Sequence, residues 1–125
     1  MTENEIGKIV VDSAIRVHKA LGPGLLESAY EACLAYELKK QALDVQTQVG
    51  LPLEYEDVVL DVGYRLDILI ERKVILELKA VDRLMPIHEA QILSYLKLSK
   101  CKLGFLLNFN VYRMKDGIRR MVNNL

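Results

Sequence analysis

The sequence predicts an α/β fold, a mixed sheet of four or five strands flanked by helices, and three observations point to it. Apolar residues recur at helical spacing through the first third of the chain. From Asp44 the period changes to two. A further helical stretch headed by Pro86 then separates strand-like runs. The order is helix, helix, three strands, helix, strand, closed by a small C-terminal hairpin. At 125 residues the chain has the length of one domain, residues 1–125, and buries a core without staples.

Each element has its own warrant. Thr2 and Glu5 have the spacing of a capping box, and Ile6, Val10, Ala14, Val17 and Leu21 follow on one helical stripe. Gly22-Pro23-Gly24 ends that helix and starts the next, which carries Leu26, Ala29, Tyr30, Cys33 and Leu38 towards a core and runs to about Ala42. Val45, Thr47, Val49 and Leu51 alternate with Gln46, Gln48 and Gly50, giving a strand with one polar face. After a turn at Tyr55-Glu56-Asp57, Val58 to Ile70 and Val74 to Val81 read as the strands of a hairpin around Glu71-Arg72-Lys73. Pro86 suits the first turn of a helix that packs Ile87, Ala90, Leu93 and Leu96 on the sheet before Ser99-Lys100. Lys102 to Phe109 returns as a strand. The tail from Val111 to Val122, bent at Lys115-Asp116-Gly117, extends it or forms the terminal hairpin.

Composition excludes several functions. With 17 basic residues against 17 acidic ones and a pI near 6.7, nothing pulls the whole chain towards polyanions, so a polybasic binder is ruled out. The content of 51% hydrophobic and 27% charged residues is neither disordered nor fibrous. No apolar run approaches the roughly 20 residues of a membrane span. Met1 to Glu5 is acidic and lacks the basic start of a signal peptide, so the expected location is the cytoplasm. Cys33 and Cys101 have no C-x-x-C spacing and no histidine within zinc-ligand reach, and are read as two buried reduced thiols.

The hairpin carries the chemistry. Glu77 and Lys79 are two apart on a strand and share a face, with Leu76, Leu78 and Ala80 on the other. A loop of Glu71 to Lys73 pairs Ile70 with Val74 and places Asp67 across from Glu77. Opposed carboxylates cost stability, and burial raises their pKa values, so the pair calls for a cation. Mg²⁺ suits it, as a hard ion held by one or two carboxylates and otherwise by water and phosphate. Lys79 beside it would orient an attacking water and stabilise charge on phosphorus. The blander alternative is a solvated face on which Glu77 pairs with Lys79 or Arg65. Against that, Ile-Leu-Glu-Leu-Lys-Ala is too apolar for a simple exposed strand.

These residues resemble a known family. Arg65-Leu66-Asp67-Ile68-Leu69, a short turn, and Ile75-Leu76-Glu77-Leu78-Lys79 are similar to the D…(D/E)-x-K core of the PD-(D/E)XK nuclease superfamily. Gly24-Leu25-Leu26-Glu27-Ser28-Ala29-Tyr30 resembles the signature of its GxxExxY branch, and the likeness runs from about Ile6 to Arg119. It implies a restriction-endonuclease-like core in which Asp67, Glu77 and the backbone carbonyl of Leu78 hold Mg²⁺ or Mn²⁺ and Lys79 is the catalytic lysine. It also implies that Glu27 lies near the metal and that Gln91 and Tyr95, a Q-x-x-x-Y pair, support the site. These two share a helical face with His88. The proline that names the superfamily is replaced by Leu66.

Several of these residues have plainer readings. Glu27 also suits the helix dipole, Tyr30 the core, and His88 the solvent. Arg65, Arg83 and Lys97 are ordinary surface charges unless a phosphate lies near. Arg113, Lys115, Arg119 and Arg120 form the one local basic concentration, a candidate nucleic-acid contact. The resulting expectation is a metal-dependent phosphodiesterase of nuclease type. Neutral charge and small size favour a single-stranded, branched or partner-delivered substrate over long duplex. The alternatives are a catalytically silent module that binds nucleic acid or protein, and a regulatory homo-oligomer whose acidic pocket merely holds a cation.

Overall fold

The computed structural model describes residues 1–125. In chain order the elements are helices α1 (Glu3–Leu21) and α2 (Glu27–Lys40), strands β1 (Val45–Gly50), β2 (Leu53–Tyr55), β3 (Val58–Leu60), β4 (Arg65–Ile70) and β5 (Val74–Lys79), helix α3 (Pro86–Ser99), strand β6 (Leu103–Asn108), a short 3-10 helix at Met114–Gly117, and strand β7 (Ile118–Val122). Five strands form one mixed sheet in the order β1-β4-β5-β6-β7. Only β5 and β6 run parallel, and α3 is the crossover between them. The α/β expectation of a mixed sheet flanked by helices is met, with the restriction-endonuclease-like layering of helices on both faces.

Local chemistry explains the ends of the elements. Thr2 Oγ1 accepts the Glu5 N–H while Glu5 Oε1 accepts the Thr2 N–H, so the capping box starts α1. Gly22 stops it with a positive φ of 68°. Helices α1 and α2 cover one face of the sheet, where Ile6, Val10, Tyr30, Leu34 and Leu38 meet Ile68, Ile70, Leu76, Leu78 and Phe105. Helix α3 covers the other face, with Tyr95 and Leu96 against Leu66 and Ile75. Gly104 on β6 permits that approach, since a Cβ there would stand 3.1 Å from Ile92 Cδ1. Every residue of β6 is buried, as suits a strand covered on both faces.

Four expectations are corrected. Val58 to Ile70 is not one strand: Asp61 Oδ1 accepts the Gly63 N–H, Gly63 takes a φ of 84°, and the resulting turn separates β3 from β4. The released β2–β3 hairpin is an arm outside the main sheet. In α2, Leu26 is exposed as the N-cap and Leu34 and Ala35 take core places instead. In α3, Ile87 and Ala90 face solvent while Ile92, Tyr95 and Leu96 are buried, because both stripes are apolar and the sheet meets only one. Cys101 is buried but Cys33 only half-buried. The tail pairs as an antiparallel edge strand on β6. No helix is long and apolar enough to cross a membrane.

Candidate active site

The β4–β5 hairpin has the register that a loop of Glu71–Lys73 dictates, with Ile70 opposite Val74, Leu69 opposite Ile75 and Ile68 opposite Leu76. The next pair in that register is Asp67 with Glu77, and there the ladder opens. Side chains replace the backbone bonds: the Asp67 N–H donates to Glu77 Oε2 at 2.8 Å, and the Leu78 N–H donates to Asp67 Oδ2 at 2.8 Å. Each carboxylate thus reaches across to the other strand, and Asp67 Oδ1 also accepts from Gln48 Nε2 at 3.4 Å. Gln48, the neighbour in β1, has a left-handed φ of 52°. At the same level the packing changes sides, since Ile68 and Ile70 join the core under α1 and α2 while Leu66 and Val49 join the core under α3.

Electrostatics single out Glu77, which is 5% exposed. Burial, and after it the Asp67 carboxylate, push its carboxyl up to about 8, against the pull of the Asp67 N–H and Lys79. No ion pair neutralises it. A buried carboxylate beside a second carboxylate, with the Leu78 backbone between them, is a donor set of hard oxygens and fits Mg²⁺ or Mn²⁺. No three His, Cys, Asp or Glu side chains stand together as a ready cage, so the fit rests on two carboxylates, a carbonyl and water.

Towards α2, Asp67 and Leu78 open on a cleft lined by Glu27, Ser28, Glu31 and Gln48. Glu27, at the first turn of α2, lines this cleft together with Asp67. Glu31, one turn further along α2, accepts from Gln48 Nε2 at 2.7 Å, and burial pushes its carboxyl up, as do Asp67 and Glu27. Glu31 and Gln48 are site residues the sequence reading missed. The signal for Glu31 was its i,i+4 spacing from Glu27. Tyr30 is fully buried and stacked on Phe109 with ring centres 4.5 Å apart. Its hydroxyl donates to the Gly22 carbonyl at 2.6 Å and accepts the Leu25 N–H at 3.1 Å, fixing the turn from which Glu27 starts.

Towards α3, Lys79 faces a second cleft. The strand reading put Asp67, Glu77 and Lys79 on one face, whereas the switch at Gln48 leaves Asp67 and Lys79 fronting different clefts, with Glu77 in electrostatic reach of both. Lys79 Nζ donates to Gln91 Oε1 at 3.4 Å, and Gln91 Nε2 donates to Tyr95 Oη at 3.2 Å. The Q-x-x-x-Y pair is thus one hydrogen-bonded unit next to the lysine. His88 Nδ1 accepts the Met85 N–H at 2.9 Å and caps α3. Asn108, which the sequence did not single out, is buried and clasps Val81 through both its amide atoms, anchoring the chain just after Lys79.

The basic cluster of the tail disperses. Arg119 pairs with Glu89 on α3 and Arg120 bonds Asn4 on α1, because adjacent strand residues point to opposite faces. Arg113 pairs with Asp116 beside the 3-10 helix. Arg65 reaches the Gln48 carbonyl at 3.4 Å.

No curated protein and no solved structure is a match for this chain. One family model does match, that of the PD-(D/E)XK nuclease superfamily, over residues 4–121. That span takes in nearly all of α1, the opened hairpin, α3 and nearly all of β7. The chain belongs to the PD-(D/E)XK nuclease superfamily.

Proposed function

We propose that the protein is a divalent-metal-dependent phosphodiesterase of nuclease type that hydrolyses a nucleic acid, and that it stands in the GxxExxY branch of its superfamily. The observation that carries this is the opened ladder at Asp67 and Glu77 with Lys79 two residues on. Asp67, Glu77 and the Leu78 carbonyl would hold Mg²⁺ or Mn²⁺, with Glu27 and Glu31 acting through water. When bound, the ion lowers the pKa of a water and neutralises charge on phosphorus. Lys79, oriented by Gln91, holds the attacking water and the phosphate oxygens. Tyr95 fixes Gln91, and Tyr30 fixes the turn that presents Glu27. The equal charge count favours a single strand, a branch or a substrate delivered by a partner, a second copy included.

The opposing reading is a silent nuclease-fold module. Its support is Glu77, whose carboxyl burial pushes up to about 8, so that a cation must compete with a proton for it. A gel assay over single-stranded, branched and duplex DNA and RNA with Mn²⁺ separates the two. Cleavage that chelation abolishes and Glu77→Gln removes is the expected result. Mn²⁺ binding without cleavage of any of them supports the silent module, and no Mn²⁺ binding in the wild type removes the enzyme reading.

A further inference from the structure

The cleft on the α3 side has a volume of about 730 Å³, within the range of small-ligand sites. Its walls come from two parts of the chain. The β2–β3 arm and the turn after it supply Leu53 and Tyr64, and α3 supplies Ile87, His88 and Lys97. Lys79 also lines it. Tyr64 is 42% exposed and leans on Tyr95, ring centres 5.9 Å apart and planes at 48°. The Leu51 N–H donates to the Tyr64 carbonyl at 2.8 Å, so the ring is mounted on anchored backbone. No carboxylate lines the cleft, whereas Lys79 and Lys97 do. Apolar walls, an accessible aromatic ring and a cationic rim complement a planar base attached to an anionic phosphate.

We propose that this cleft binds one unpaired nucleotide adjoining the phosphate to be cut, with its base on the Tyr64 ring and its backbone against Lys97 and Lys79. The proposal rests on the nuclease reading above and narrows it to substrates with a single-stranded segment. A paired base keeps both faces stacked in the helix and has none to give to Tyr64, so blunt duplex is discriminated against by the same contact. The arm acts as the outer jaw of the cleft and Tyr64 as its positioning surface.

Binding in EDTA separates this site from catalysis. Anisotropy of a short fluorescein-labelled oligothymidylate, with a blunt duplex of equal length as competitor, is measured for wild type, Tyr64→Ala, Tyr64→Phe and Lys97→Ala. The single strand should bind more tightly than the duplex. Tyr64→Ala should weaken it by roughly five- to a hundredfold, the range of a lost base–aromatic stack, and Tyr64→Phe by no more than about twofold. Lys97→Ala, at an exposed helix position, should flatten the salt dependence by about 0.7 in log–log slope. Equal binding by wild type and Tyr64→Ala overturns the proposal, as does a duplex bound as well as the single strand. A dimer seen by sedimentation that Tyr64→Ala dissociates, with no oligonucleotide bound, overturns it in favour of a second copy in the cleft. Cleavage with Mn²⁺ alongside unchanged binding by Tyr64→Ala removes the subsite and leaves the nuclease standing. Tyr64-dependent binding without cleavage supports the subsite and removes the enzyme.

Discussion

Glu77 couples folding to pH in a direction opposite to that of a salt-bridged carboxylate. Its carboxyl is raised to about 8 from an ordinary value of 4.5, so between those values the folded chain holds a proton that the unfolded chain has released. The associated stability is complete below 4.5 and is lost as the pH rises through 8, a loss of a few kcal/mol in metal-free buffer. Glu77→Gln keeps an acceptor for the Asp67 N–H and removes the titration. Its melting temperature in EDTA should match wild type near pH 5 and exceed it by several degrees near pH 8.5; equal temperatures at both pH values would contradict the assigned burial penalty. Lys79→Ala should behave differently. The ammonium is no ligand, so calorimetric Mn²⁺ affinity should change less than about threefold while turnover falls on the order of a hundredfold or more. The pairing of Asp67 with Glu77 was legible because loop length and strand period fix register with no further information, but the parting of Asp67 and Lys79 into different clefts was not. Gln48 was not legible: its left-handed backbone is not dictated by a glutamine side chain, and it is the residue at which the packing changes sides.

Among the elements, the start of α2 shows how one buried hydroxyl can position a helix. The helix has no side-chain cap at Leu26, and Tyr30 supplies the missing order by tying its hydroxyl to Gly22 and Leu25. Tyr30→Phe leaves the Leu25 N–H and the Gly22 carbonyl without that partner, at a cost of about 1–2 kcal/mol. Urea denaturation should show that loss with an unchanged m-value, and a loss below about 0.3 kcal/mol would demote the hydroxyl to a packing role. The start of α1 and the end of that helix were readable from Thr2, Glu5 and Gly22 because caps are local chemistry. The β2–β3 arm was not, since an unbroken β-branched run from Val58 conceals the turn that Asp61 and Gly63 make. Nor was the buried stripe of α3, because a helix apolar on more than one side leaves the choice to the partner sheet.

At the level of the whole molecule, the zero net charge is an average over two separated fields. Glu27, Glu31 and Asp67 line one cleft, Lys79 and Lys97 line the other, and Glu77 is in electrostatic reach of both. The acidic cleft therefore carries a local repulsion that a bound divalent cation would relieve, and the chain's stability should be linked to that cation by mass action. At a hundredfold excess over its dissociation constant, Mn²⁺ adds about 2.7 kcal/mol, which raises the melting temperature by several degrees in a domain of this size. The ion must displace the Glu77 proton below pH 8, so the increment should grow from pH 6 to pH 8 and then level. Asp67→Asn should abolish most of it, and Glu77→Gln should both shrink it and remove its pH dependence, because no proton is left to displace. Differential scanning fluorimetry across that range, with Ca²⁺ and NaCl controls at matched ionic strength, reads the outcome. An increment of the same size in Asp67→Asn would place the ion elsewhere on the surface. A pH-independent increment in the wild type would exclude Glu77 from its ligands.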